Sequence, residues 1–179
     1  GMDWIQNVFV EENGEIIVVG MLGNYSEFPN LNVISDVKHE EIGNLCVIRL
    51  SADGKEVLAT TVLGHSWNMK AARDKEGNIY ICGSTTDEKF PTTPDAYDTS
   101  YNGGVEYNSG GDLYLTKLNP KGNEIIFSTF IGGSDNEMFP SFCLDKENNV
   151  LIFSYTNSKD FPITENALDK TYSGERDMF

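Results

Sequence analysis

Two histidines, three cysteines and 28 carboxylates are the groups in this chain that could move protons, hold a metal or attack a substrate. Their spacing argues against all three. His39 sits among Lys38, Glu40 and Glu41 and reads as a solvated loop residue, while His65 follows Leu63-Gly64 at a turn. Neither lies in a His-Glu-x-x-His run, and no nucleophile elbow accompanies them. Cys46, Cys82 and Cys143 are an odd, widely separated set, which makes neither a zinc site nor a disulfide framework. Each falls within an apolar strand pattern, where cysteine is expected to behave as a small buried hydrophobe. Paired carboxylates can be drawn at will from so many acids, so no pair is singled out.

Acidic turns at Asp74–Gly77, Asp145–Asn149 and Ser134-Asp135-Asn136-Glu137 raise calcium as a minor alternative to no cofactor at all. None has the Asp-x-Asp/Asn-x-Asp/Asn-Gly loop with its distant Glu. An aspartate there also suits a turn, which it closes by bonding its own backbone. The aromatic loop holding Phe90, Tyr97, Tyr101 and Tyr107 is the better candidate for contact with a ligand. Tyrosines beside Asn and Gly can stack on sugars or dock a peptide. Phe161 and Tyr172 echo the loop, so the same residues are also expected to serve as pins that fold it. Tyr107 lies in the unrepeated insert Val105 to Ser109.

The elements that must position these residues are written as repeats. Leu45-Cys46-Val47-Ile48-Arg49-Leu50-Ser51-Ala52-Asp53-Gly54 recurs in character as Leu113-Tyr114-Leu115-Thr116-Lys117-Leu118-Asn119-Pro120-Lys121-Gly122. A second block occurs three times, ending at Gly20, Gly83 and Ser154, and a Phe-Pro pair follows each copy (Phe28-Pro29, Phe90-Pro91, Phe161-Pro162). Trp4 and Trp67 hold equivalent places. Within a copy, short runs of Val, Ile, Tyr, Phe and Thr flank Asn-Gly, Asp-Gly, Gly-Asn or Asn-Asn pairs, the pattern of β-hairpins. Four strands are predicted in copy two: Met69 to Asp74, Asn78 to Thr85, Asp112 to Leu118 and Glu124 to Ile131. Ile125-Ile126-Phe127 is apolar on both faces, which predicts cover on both faces. Thr93-Pro94-Asp95 carries a helix-start signal, so a turn or two of helix is expected over Thr93 to Asp98.

These residues resemble a known family. Phe90-Pro91-Thr92-Thr93-Pro94-Asp95-Ala96-Tyr97-Asp98, Tyr101-Asn102-Gly103-Gly104, Gly111-Asp112-Leu113-Tyr114 and Phe127-Ser128-Thr129-Phe130-Ile131-Gly132-Gly133 are similar to the SBBP repeat of bacterial β-propellers. The resemblance is looser in copy one, where Asn30 to Gly43 lacks the Thr, Ala and Tyr-x-Gly positions. It implies an all-β fold: a β-propeller fragment of four-stranded antiparallel blades, two complete and one partial. The chain reads as one propeller region over residues 1–179, with repeats at about 2–64, 65–133 and 134–179. The resemblance carries no catalytic residue set and points to the cell surface or exterior, whereas free cysteines would suit the interior.

Composition bounds the partners. At 179 residues, 39% hydrophobic and 23% charged, the chain has enough apolar content for a folded core. The longest apolar run, Ile16 to Leu22, is far below the ~20 residues of a membrane span. Gly1 before Met2 reads as a remnant of tag removal, and no signal-peptide pattern follows. A net charge of −15 disfavours nucleic acid and anionic membranes. Closed propellers use ~4–8 blades, so the expected partner is a second chain or the remainder of a longer propeller. The expected function is non-enzymatic scaffolding or binding of proteins or glycans. The alternative is a carbohydrate-active hydrolase or lyase with its site in the central channel.

Overall fold

The computed structural model describes residues 3–34, 43–104 and 110–179. Tyr107, His39, the insert Val105 to Ser109 and much of the loop Asn30 to Gly43 lie outside the described residues. Among those described there is no helix. The strands are β1 (Trp4–Val10), β2 (Ile16–Leu22), β3 (Leu31–Val33), β4 (Asn44–Leu50), β5 (Val57–His65), β6 (Trp67–Arg73), β7 (Ile79–Thr85), β8 (Asp112–Leu118), β9 (Ile125–Ile131), β10 (Glu137–Leu144), β11 (Val150–Thr156) and β12 (Asp177–Met178). They form three sheets, ordered β1-β2-β4-β5-β3, β6-β7-β8-β9 and β10-β11-β12.

Apart from the parallel edge strand β3, each sheet is an up-and-down meander, and its tight hairpin turns are set by residues that accept positive φ. Gly14, Gly77 and Asn148 occupy one equivalent turn position at φ +86°, +85° and +65°. Asparagine replaces glycine in the third because its short polar side chain tolerates the left-handed region. Gly54 and Gly122 do the same at the β4–β5 and β8–β9 turns, at +71° and +69°. Asp74 and Asp145 each accept a hydrogen bond from the backbone N–H four residues on, at Asn78 and Asn149, both at 2.8 Å. These acidic turns therefore close on themselves.

The sheets stack through their faces. Ile17, Val19 and Met21 of β2, with Leu45 and Val47 of β4, bury against Ile79 and Ile81 of β7, Leu118 of β8 and Phe130 of β9. Fully burying a side chain of this size is worth ~1.5–3 kcal/mol, so this seam contributes strongly to stability. β10 then packs across β6, β7 and β8. Arg73 ties the first seam, pairing with Glu11 at 2.8 Å and lying over the Phe9 ring.

The long loop between the second and third strands of a sheet protects an edge. In the first sheet, β3 pairs in parallel with β5, Leu31 opposite Thr60. In the second, Thr93 N–H donates to Ser128 O at 2.9 Å and Phe130 N–H donates to Asp98 O at 3.0 Å. An outermost strand would otherwise offer a row of free backbone groups to other chains. This bonding explains why Thr93 to Asp98 is not helical. Its donors are committed to β9, Asp98 N–H going to Thr129 Oγ1 at 2.9 Å, and only a single turn closes, from Ala96 N–H to Thr93 O. A second expectation also fails: Cys46 and Cys82 are buried, but Cys143 is exposed. It lies on a sheet face with nothing stacked over it.

Gly54 and Gly122 separate the local from the inter-sheet role of a turn. A Cβ at Gly54 meets nothing within 4 Å, whereas one at Gly122 would come within 2.7 Å of Val47 Cγ1 in the neighbouring sheet. Gly54→Ala is expected to cost only the left-handed penalty, about 1 kcal/mol. Gly122→Ala should cost clearly more, read as a larger drop in urea midpoint. Equal losses would show that the turn does not touch the first sheet.

Candidate functional site

The first strands β1, β6 and β10 lie side by side, and each breaks register near its start: between Ile5 and Asn7, between Trp67 and Lys70, and between Met138 and Ser141. A bulge bends the strand and re-aims its side chains. Two of the bulged residues sit in the left-handed region, Asn68 at φ +50° and Phe139 at +56°. For a bulky aromatic that conformation is strained, and such strain clusters at functional sites.

The bulges open a cleft of about 520 Å³, lined by Trp4, Trp67 and Phe139, the methionines Met21 and Met69, Pro140, and the polar groups of Gln6, Asn68, Lys70 and Ser141. That volume suits a ligand of small-molecule size. Trp4 is well exposed, at 59%, and so is Phe139. Trp67 is half-buried, with its ring edge-on to His65 at 5.1 Å. Among the described residues, Lys70 is the one charged residue lining the cleft.

The tyrosines named from sequence lie elsewhere. Tyr97 is exposed and lines a polar cleft of about 380 Å³ with Asp98, Asn102, Gly132 to Ser134, Asp160 and Pro162. Its carboxylates serve the loops. Asp98 accepts from Ser100 N–H and Asn102 Nδ2, and Asp160 accepts from Ser134 N–H and Oγ, both at 2.9 Å, which lowers the Asp160 pKa. Tyr101 is half-buried, edge-on to Phe130 at 6.2 Å, and donates to Gly104 O at 3.1 Å. Phe90 stacks on Tyr114 at 4.2 Å. Tyr107 lies outside the described residues. Among the described residues, no group of three or more His, Cys, Asp or Glu side chains converges to hold a metal.

A buried carboxylate pair marks the seam between the second and third sheets. Asp112 Oδ2 accepts from Asn102 N–H at 2.8 Å, whereas Oδ1 is buried without a hydrogen-bond partner. Glu137 Oε1 accepts from the Thr156 and Ser158 hydroxyls at 2.6 and 2.7 Å, and its Oε2 from Gly133 N–H. Only glycine fits between the acids: a Cβ on Gly132 would run into Asp112 Oδ1 and Glu137 Oε2 together. Burial, then the neighbouring Glu137 charge, pushes the Asp112 carboxyl up to about 7, against its hydrogen bonds from Asn102. Burial raises Glu137 as well, against its hydroxyl donors.

Sequence reasoning missed both the cleft and the pair. The recurrence of Trp4 and Trp67 was the available signal for the cleft. For the pair it was the substitution of Asp112 for Asn44 at one repeat position.

Two outcomes are expected. A carboxyl whose folded pKa is raised supplies stability that is full below about pH 4 and lost as pH rises through about 7. Asp112→Asn should therefore leave stability at pH 4 nearly unchanged and raise it by about 1–3 kcal/mol at pH 8, measured by urea unfolding. A variant with the parent's pH dependence would remove Asp112 as its source. At the strained bulge, Phe139→Asn and Phe139→Ala lose the same ring, and only Asn suits the left-handed backbone. The Asn variant should be the more stable by about 0.5–1 kcal/mol.

Comparison with protein-family models, with curated proteins and with solved structures returns no match.

Proposed function

We propose that this chain is a run of β-propeller blades acting as a non-enzymatic binding module, with its ligand seated in the cleft between the first strands. The preferred ligand class is a glycan. Support for the blade reading comes from three meander sheets stacked face to face with their first strands adjacent, and from the likeness of the repeats to SBBP sequences.

The observation that carries the binding reading is the cleft wall. Trp4, Trp67 and Phe139 come from three successive sheets, and Gln6, Asn68, Lys70 and Ser141 lie among them. Aromatic faces offer apolar area to the C–H face of a sugar ring, while amides, a hydroxyl and an ammonium can bond its hydroxyls. The enzyme alternative is less well supported there. Glycoside hydrolysis usually runs on two carboxylates flanking the scissile bond. Among the described residues, no Asp or Glu lines the cleft, and the Asp112–Glu137 pair is buried at a seam.

A glycan array on the purified chain, followed by calorimetry on the best hit, tests the proposal. Trp4→Ala should weaken binding about tenfold, equivalent to about 1.4 kcal/mol, with unchanged circular dichroism because Trp4 is well exposed. Binding indifferent to both Trp4→Ala and Phe139→Ala would sink the assignment of the cleft. Release of reducing ends from the bound glycan would favour the enzyme.

A further inference from the structure

The second seam buries two acids without a basic partner. Asp112 and Glu137 are both fully buried, and among the described residues no Lys, Arg or His pairs with either. Their hydrogen bonds are one-sided. Donors fill the outer oxygens: Asn102 N–H bonds Asp112 Oδ2 at 2.8 Å, and the Thr156 and Ser158 hydroxyls bond Glu137 Oε1. The inner oxygens, Asp112 Oδ1 and Glu137 Oε2, converge beside the bare Cα of Gly132, where a side chain would strike both. Glu137 Oε2 accepts one N–H, from Gly133 at 3.2 Å. Asp112 Oδ1 is buried with no hydrogen-bond partner. Two carboxylate edges that meet in a dry seam repel unless a positive charge lies between them. The first seam has no such pair, since Asn44 and Ser66 hold the equivalent places.

The geometry points to a calcium ion as the counter-charge, held by Asp112 Oδ1 and Glu137 Oε2 beside Gly132. Carboxylate oxygens suit a hard cation, and the donors on the outer oxygens hold each carboxylate in its orientation, as the outer shell of a metal site does. An entry path is present. The polar cleft of about 380 Å³ is lined by Asp98 and Asp160, and its wall includes Asn102, Gly132 and Gly133, the residues that surround the pair. An acidic mouth therefore opens onto the two acids and draws cations toward them. No third carboxylate converges among the described residues, so neutral oxygens and water complete the shell. Binding is expected in the weak range of ~10⁻⁴–10⁻³ M. Magnesium suits the place less well, because it demands a near-ideal octahedron and gives up its water reluctantly. The competitor is a proton: Asp112 titrates at about 7, so the ion gains as pH rises past that value.

Calorimetric titration of calcium chloride into the whole, chelator-treated chain at pH 8 tests this, independently of the aromatic cleft and its ligand. One site per chain is expected. Asp112→Asn should weaken it at least tenfold, while Asp53→Asn, on the exposed β4–β5 turn, should bind as the parent does. At pH 5 the parent should also bind at least tenfold more weakly, because Asp112 then holds a proton. Urea unfolding at pH 8 supplies a second readout. Calcium should raise the midpoint of the parent and leave that of Asp112→Asn where it was, which separates loss of the ion from poor folding. Absence of saturable binding by the parent at ten times the expected constant overturns the inference. So does affinity that is the same at pH 5 and pH 8. Parent-like binding by Asp112→Asn, or equal affinity for magnesium, overturns it too: either would mark diffuse attraction to a chain of net charge −15.

Discussion

The structure depends on sheets that are apolar on both faces. A sheet with one wet face needs a single partner layer, and alternating polar residues tell it which face that is. The central strands here offer no such instruction. Ile16 to Leu22 is an unbroken apolar run, and in β7 every residue from Ile79 to Thr85 is buried. Each sheet therefore has to be covered twice, and stacking one copy of the repeat on the next meets that need. The second sheet is the one with a neighbour on each side, and its two central strands hold much of the core.

Stacking covers faces and leaves edges. The outermost strand of each meander has no fifth partner of its own kind, and the long loop supplies one in two forms. In the first sheet it is a short parallel strand, β3. In the second it is irregular backbone held at Thr93 and Asp98. The Phe-Pro pair fixes how that loop returns: Phe90 is buried on Tyr114 and near Phe130, and Phe28 packs on the corresponding part of the first sheet. Tyr101 joins the same pinning cluster, while Tyr97 stays on the solvent side. An aromatic-rich loop is thus accounted for by the edge it must cover.

What was legible from sequence follows from how local the cause is. The hairpins of the second sheet are specified by residues a few positions apart, and the strands expected for that copy match β6 to β9 within two residues at each end. The all-β class follows from the same signals. Asp74 and Asp145 were legible as turn-closing acids because their partners lie four residues on. The missed features are set by contacts far away in sequence. The helix-start signal at Thr93-Pro94 lost to bonding with β9, some 35 residues on. Cys143 has the pattern of a core residue, but its exposure depends on whether another sheet lies above it. The cleft is assembled from three bulges in three copies, and no single segment contains it. Tyr97 and Tyr101 were recognisable as aromatic loop residues, while their different exposures depend on where Phe130 lies.

Departures from the repeat sort by place. At the hairpins they are conservative: Asn148 for Gly77 keeps the left-handed turn, and Gly122 for Gly54 keeps the residue itself. At the seams they change the chemistry. Asn44 becomes Asp112, and the position of Ser66 becomes Glu137, which places two acids across Gly132 where the first seam has an amide and a hydroxyl. The link between β9 and β10 is also longer than that between β5 and β6. Along the first strands, one bulge position holds Ile5, Asn68 and Phe139 in turn. A hairpin is judged by its own turn, so most changes there cost stability with no compensation. A seam is judged by two sheets together, and a side chain there can change charge or size if the facing sheet accommodates it. In a stack of near-identical units the seams are therefore where individuality can be stored. Both distinctive features of this chain, the aromatic cleft and the buried acid pair, lie there.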